Sequence, residues 1–100
     1  MPEATFRVRW PDGSTDACYS PSLVVHDHLA PGAEYPVADF AARVGAAMDE
    51  ASERVRARYG MACTSAAATA AGVRSRAARF SADGVVRVLS IEPPLPGGVS

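Results

Sequence analysis

The sequence predicts one α+β domain, in which a three-stranded antiparallel sheet packs on one long helix and one or two shorter helices. Three patterns indicate this class: apolar residues at helical spacing over 36–59, a strand-turn-strand pattern over 4–20, and a β-branched run over 85–91. A chain of 100 residues can bury one modest core. We expect that domain to span residues 1–92, and the Pro/Gly-rich segment 93–100 to be disordered.

The first two strands are predicted to form a β-hairpin. Alternation over residues 4–10 puts Phe6, Val8 and Trp10 on one face, and Thr5, Arg7 and Arg9 on the other. Pro11-Asp12-Gly13 is a turn sequence, and TDACYS at 15–20 returns as the second strand. Two registers stay open: either Cys18 faces the core beside Phe6, or Tyr19 does and Cys18 faces out. A one-residue slip exchanges the two faces.

The segment after the hairpin carries a helix-start signal and two histidines. Ser20 as N-cap and Pro21 at the first helical position predict a short helix, and Val24-Val25 also permits an extended chain. His26-Asp27-His28 could chelate a metal in a strand, but on a helix side chains two residues apart diverge. No third ligand of suitable spacing lies nearby. We therefore expect solvent-facing histidines, no metal and no cofactor.

The long helix at 36–59 is predicted from its apolar stripe. That stripe contains Val37, Phe40, Ala41, Val44, Met48, Ala51, Val55 and Tyr59. Pro36 suits the first helical turn, and Gly60 suits the left-handed residue just past the end. Asp39 near the N-terminus and Arg58 near the C-terminus complement the helix dipole.

A second helix and a third strand complete the predicted fold. Thr64 or Ser65 can cap a helix over about 65–80, whose apolar face is mostly alanine. The turn Asp83-Gly84 leads into the strand at 85–91, which is apolar on both faces. We expect this strand to be central or covered by a partner. It would pair with the first strand or with the other edge of the hairpin.

Composition and charge exclude several classes of function. The net charge is −1, so no strong field draws the chain to nucleic acid or to a membrane. All ten basic residues are arginine, and Lys, Asn and Gln are missing, which with the abundant alanine indicates a GC-rich bacterial genome. No signal peptide and no apolar run of membrane-spanning length is recognised. The expected compartment is the cytoplasm, where two cysteines are expected to be free thiols.

The two cysteines, Cys18 and Cys63, are the main candidates for chemistry. Their spacing matches no zinc or CxxC pattern. Both can be buried small hydrophobic side chains. Alternatively Cys63, near the start of the second helix, can have a lowered thiol pKa and act as a nucleophile or sulfur carrier. No G-x-S-x-G elbow or phosphate-binding glycine motif is present. Arginines on the outer face of the sheet, at 7, 9 and 87, can meet an acidic partner.

Four stretches together are specific enough to suggest a family. They are FRVRWPDG (6–13), CYSPSLV (18–24), EYPVADFAARV (34–44) and ASERVRARYGMAC (51–63). In this order and spacing they resemble a family of short bacterial nitrogen-starvation-response proteins, over residues 5–92. That family is typically encoded beside a nitrilase, a radical-SAM protein, an acetyltransferase-like protein and a flavoprotein. The resemblance implies a cytoplasmic accessory role in using a nitrile, cyanide or similar nitrogen source, and it carries no catalytic residues.

The sequence thus favours a non-enzymatic binding protein that acts through protein contacts with the co-encoded enzymes and as a homodimer. The alternative is a thiol protein that uses one or both cysteines. We expect any site to lie where the end of the long helix meets the hairpin. The candidate binding residues there are Cys18, Tyr19, Ser20, Arg54, Tyr59 and Cys63.

Overall fold

The computed structural model describes residues 3–60 and 64–94. Its elements are β1 (Ala4–Arg9), β2 (Thr15–Ser20), a 3₁₀ helix (Leu23–Asp27), β3 (Glu34–Pro36), α1 (Val37–Tyr59), α2 (Thr64–Ala77) and β4 (Val85–Glu92). The strands form one antiparallel sheet of order β2-β1-β4-β3. The helices cover one face of this sheet, and the other face is open. The predicted α+β class is therefore confirmed.

The sheet has four strands, so the predicted count of three was wrong. The additional strand, β3, is only three residues long and pairs Tyr35 with Val86 and Pro36 with Val85. Its sequence has no alternation to reveal it, and Pro36 argues against a central strand. Proline is tolerated here because β3 lies at the edge of the sheet. Beside it, β4 is an inner strand that pairs with β1, as its two apolar faces indicated.

The hairpin adopts the register that turns Cys18 inward. Phe6 lies opposite Cys18, and the Cys18 side chain packs against the edge of the core. Tyr19 points outward and is exposed. Because residues paired across two strands share a face, this register places Asp16 and Cys18 on the helix side with Phe6 and Val8, where Asp16 accepts from the Trp10 indole N–H. The turn closes with the Gly13 N–H donating to the Trp10 carbonyl, and Gly13 has the positive φ that this turn requires.

Helix α1 matches its predicted bounds to within one residue. Pro36 is its N-cap rather than part of its first turn, and Gly60 is left-handed at its C-cap, with its N–H bonded to the Arg56 carbonyl. The predicted stripe is buried only as far as Ala51. Val55 is half-buried and Tyr59 is 57% exposed. The 23-residue α1 is about 35 Å long, whereas the eight-residue β4 spans about 26 Å. We therefore attribute the exposure of Val55 and Tyr59 to the end of α1 extending beyond the sheet.

The segment after the hairpin is helical, but it is a short 3₁₀ turn capped by Ser22 instead of Ser20. The Ser22 hydroxyl accepts from the Val24 N–H at 3.2 Å. The Ser20 hydroxyl donates to the Ser22 carbonyl at 2.6 Å, which holds the bend before the turn. Both serines are buried, so their hydroxyls meet internal partners as buried polar groups require.

One continuous core lies between the sheet and the helices, and Trp10 is among its largest buried side chains. The Trp10 ring meets Phe40 of α1 edge-on and stacks on Phe80, which follows α2, each at 5.5 Å between centroids. Helix α2 contributes only small core residues, with Val73 as the largest of its buried side chains. Most of the tail predicted to be disordered, 95–100, lies outside the described residues.

No helix in the described part of the chain combines the length and apolar character needed to cross a bilayer.

Candidate functional site

The predicted site residues are divided among three places. Cys18 and Tyr19, on β2, line a groove beside α2. Ser20 lies buried in the bend that precedes the 3₁₀ helix. Arg54 and Tyr59 lie on the exposed last turns of α1, where Arg54 contacts Glu50 at 3.4 Å, and neither is among the described residues that line the groove. Cys63 lies outside the described residues, so its predicted proximity to Cys18 stays a prediction.

The groove runs between strand β2 and helix α2 and has a volume of about 350 Å³. This volume is within the range of small-molecule sites. The described residues that line it are Trp10, Asp16, Ala17, Cys18, Tyr19, Ala68, Thr69, Gly72, Val73 and Arg76. The lining is mainly apolar, and its charged side chains are one acid and one arginine.

Two polar contacts join α2 to the hairpin at the two ends of the groove. At one end the Thr69 hydroxyl donates to the Tyr19 carbonyl at 2.7 Å. At the other end Arg76 Nη1 donates to Asp16 Oδ2 at 3.0 Å. Thr69 and Arg76 lie two helical turns apart, or roughly 10 Å along the axis. Between them is Gly72, where an added Cβ would meet no atom within 4 Å, so the helix leaves open space there.

The polar end of the groove is a compact cluster around Asp16. Its Oδ2 accepts from the Trp10 indole N–H at 2.8 Å as well as from Arg76. Arg76 also donates to the Ser14 hydroxyl, and its guanidinium lies 5.8 Å from the centroid of the Trp10 ring. These contacts fix both charged groups, and the positive and negative charges offset each other.

The Cys18 thiol is shielded at the side of the groove. Burial, and secondarily the negative charge of Asp16, raise the pKa of Cys18 to about 11. The thiol is therefore neutral near pH 7, and the thiolate that a nucleophile or sulfur carrier needs is scarce. This opposes the thiol hypothesis at Cys18, while Cys63 lies outside the described residues.

The two histidines contact separate partners and are only partly exposed, so the expectation that they face solvent holds only in part. His26 Nε2 is 2.9 Å from the Pro93 carbonyl, next to the end of β4. His28 Nε2 is 2.9 Å from Glu50 Oε1 on α1. Both side chains are partly buried and connect the 3₁₀ helix to its neighbours. Within residues 3–60 and 64–94, no three His, Cys, Asp or Glu side chains are grouped as a metal site requires.

The second notable surface is the uncovered side of the sheet, which we call the open sheet face. Its residues are Thr5, Arg7, Arg9, Thr15, Ala17, Tyr19, Glu34, Pro36, Val85, Arg87, Leu89, Ser90 and Glu92. Arg9 lies directly opposite Arg87 in the β1–β4 register, and Arg87 approaches Glu34 at 4.0 Å. Val85 and Leu89 are exposed beside them. A smaller hollow of about 240 Å³ lies along Arg9, Glu34, Val85 and Arg87.

Sequence reasoning missed the roles of Asp16, Thr69, Gly72 and Arg76. Thr69, Gly72 and Arg76 follow one another at steps of three and four, so a helix must place them on one face. Their shared helix face could therefore have been predicted from the sequence. The pairing of Asp16 with Arg76 was not readable, because it joins residues sixty positions apart through the docking of α2.

Together these features define a small α+β protein with two helices on a four-stranded antiparallel sheet, a groove at one sheet edge and an open, arginine-bearing face. Residues 5–91 match the family described as nitrogen starvation-induced protein NitG. The chain belongs to this family, which confirms the resemblance and makes it a small protein associated with nitrogen starvation. No curated protein and no solved structure matches it significantly.

Proposed function

We propose that this protein is a non-enzymatic accessory protein of the nitrogen-starvation response, which binds an acidic surface of a partner protein through its open sheet face. The observation that carries the proposal is the pair Arg7 and Arg9. Both are exposed on the open sheet face, and neither makes a hydrogen bond or ion pair through its guanidinium with any described residue. A carboxylate-bearing partner would supply the bidentate contacts that guanidinium groups favour.

The local charges support an acidic partner. Arg9 and Arg87 are neighbours of like charge across two strands, an arrangement that is unfavourable on an isolated sheet. Two acids lie at the margins, Glu34 beside Arg87 and Glu92 opposite Thr5. Among the described residues, no carboxylate lies within ion-pair distance of Arg7 or Arg9. An acidic surface would relieve this repulsion, while Val85 and Leu89 would add apolar contact.

The proposed partners are the enzymes expected beside this family: the nitrilase, the radical-SAM protein and the flavoprotein. They would meet the protein in the cytoplasm. In this proposal the predicted homodimer forms through another surface, which leaves the open sheet face available to the enzyme.

The test is a binding measurement between the purified protein and each co-encoded enzyme, by pull-down and then by calorimetry. Replacing Arg7 and Arg9 by glutamate should weaken binding to the partner by ~10-fold or more, because each glutamate sets a like charge against the acidic surface. The matched control is Arg74→Glu with Arg79→Glu, which makes the same charge change on exposed positions of the helix layer. Size-exclusion chromatography of the same samples reports the oligomeric state.

We expect the variant with glutamate at Arg7 and Arg9 to lose most of its affinity for the enzyme. The variant with glutamate at Arg74 and Arg79 should bind the enzyme nearly normally. A protein that binds none of these enzymes would overturn the proposed partners. Equal loss in both variants would show that only net charge matters, and the open sheet face would no longer be the proposed surface.

A further inference from the structure

The groove between β2 and α2 lies at the edge of the sheet, where Ala17 and Tyr19 border both it and the open sheet face. Neither Arg7 nor Arg9 lines the groove, which has its own chemistry. Its length is limited by the Thr69–Tyr19 contact at one end and the Arg76–Asp16 contact at the other. Between these contacts the helix presents Gly72, with no atom within 4 Å of an added Cβ. The space is therefore bounded and already open, as a site for a small ligand must be.

Charge determines which ligands this groove can accept. A cation approaching Asp16 also approaches the guanidinium of Arg76, and an anion approaching Arg76 also approaches the carboxylate of Asp16. The thiol of Cys18 is uncharged near neutral pH. A ligand with a net charge of either sign therefore meets one opposite and one like charge at this end of the groove, and gains little net attraction. A neutral ligand has less hydration to lose on entering the groove.

Hydrogen-bonding capacity narrows the class further. Arg76 has five N–H donors, and the Asp16 and Ser14 contacts use two of them. Asp16 Oδ2 accepts two hydrogen bonds, while Oδ1 has no partner among the described residues. A free donor and a free acceptor thus lie side by side. The rest of the lining is mostly apolar, with Trp10 and Val73 as its largest apolar side chains.

We infer that this groove binds an uncharged small molecule with a short apolar body and a primary carboxamide, or an equivalent group with a donor beside an acceptor. The carboxamide oxygen accepts from Arg76 and its NH₂ group donates to Asp16 Oδ1. The apolar body lies along Gly72, towards Ala68 and Cys18. No covalent step is involved, so the groove recognises such a molecule without transforming it.

The test is a titration of the ¹⁵N-labelled protein with hexanamide, followed by amide chemical shifts. Hexanoate and hexylammonium serve as probes of equal chain length and opposite charge. We expect saturable shifts confined to Trp10 and residues 14–20 and 66–77, with a dissociation constant of ~1 mM for so small a ligand. The charged probes should bind at least ~10-fold more weakly, because each loses hydration without a net attraction from the Asp16–Arg76 pair.

Two kinds of variant locate the ligand. Gly72→Leu fills the middle of the groove, and Ala68→Leu narrows it from the same helix face, which keeps the test valid if one of them fails to fold. Ala71→Leu is the control, since it adds the same side chain at an exposed α2 position that does not line the groove. The variants at Gly72 and Ala68 should lose at least ~10-fold in hexanamide affinity, and the Ala71 variant should keep most of it. Shifts elsewhere, equal binding of the charged probes, or unchanged affinity in a folded Gly72→Leu or Ala68→Leu variant would each overturn the inference.

Discussion

At the scale of single residues, environment decides what each side chain can do. Cys18 carries a potentially reactive thiol, but its register turns it toward Phe6, and burial keeps the thiol protonated. Trp10 buries its ring among Phe40 and Phe80 and still satisfies its indole N–H through Asp16. Asp16 thereby holds both the hairpin and, through Arg76, helix α2. The sequence shows which residue types are present, but the contact between Asp16 and Arg76 forms only when α2 docks on the hairpin.

The raised pKa of Cys18 gives a prediction about alkaline pH. In a Cys63→Ser chain, the rate of Cys18 alkylation by iodoacetamide should rise steeply only towards a midpoint of about 11, against the ordinary value of 9.0. Because the folded pKa is raised, the stability that this group contributes is fully present below pH 9.0 and is lost as pH rises through about 11. The loss should approach about 2–3 kcal/mol in the free energy of unfolding.

The control for this prediction is Cys18→Ala in the same Cys63→Ser background, measured by urea denaturation across the same pH range. Its absolute stability is lower because a buried sulfur is removed, so the quantity compared is the slope with pH. That slope should be shallower in the alanine variant. An alkylation midpoint below pH 8 would contradict the prediction and restore Cys18 as a nucleophile.

At the scale of elements, the long helix carries two glycines with opposite conformational roles. Gly45 lies inside α1 in ordinary helical geometry, and an added Cβ there meets no atom within 4 Å. Gly60 ends the helix with φ of 76°, a region that side chains disfavour. Gly45 therefore lowers the stability of α1, whereas Gly60 is needed for the helix to end in a left-handed conformation.

This contrast predicts stability changes of opposite sign. Gly45→Ala should raise the free energy of unfolding by about 0.5–1 kcal/mol, because alanine loses less backbone entropy in a helix. Gly60→Ala should lower it by about 1–2 kcal/mol, because a Cβ in the left-handed region is strained. Urea denaturation of both variants beside the parent chain measures the two effects. A change of the same sign in both would show that the φ difference between the two positions does not govern stability.

The sequence revealed elements with strong periodicity and missed those formed by tertiary contact. The alternation around Phe6 and the spacing around Phe40 predicted the hairpin and α1 correctly. Strand β3 has no pattern of its own, and its residues are extended because β4 lies beside them. The groove was missed for the same reason, since Asp16 and Arg76 meet only when α2 docks. Cys18 and Tyr19 were predicted as site residues, but the geometry pairs them with α2 and not with the end of α1.

At the scale of the whole molecule, α2 is the element whose attachment matters most for function. It forms one wall of the groove, yet its buried residues are only Ala66, Val73 and Ala77. So little apolar area stabilises docking weakly. The contacts of Thr69 and Arg76 with the hairpin supplement it. Whether the groove is preformed therefore depends on whether α2 unfolds together with the rest of the chain.

Trp10 allows this cooperativity to be measured, because it is the one tryptophan in the chain and contacts Phe80 and Arg76 at the α2 side. We expect urea unfolding followed by Trp10 fluorescence and by far-UV circular dichroism to give coincident transitions, as one continuous core requires. Arg76→Ala should lower the midpoint of both transitions together by removing one contact of α2. If fluorescence instead changed at lower urea than the helical signal, α2 would be separating from an intact sheet and α1. The groove would then be a transient feature, and a ligand would have to stabilise α2 in order to bind.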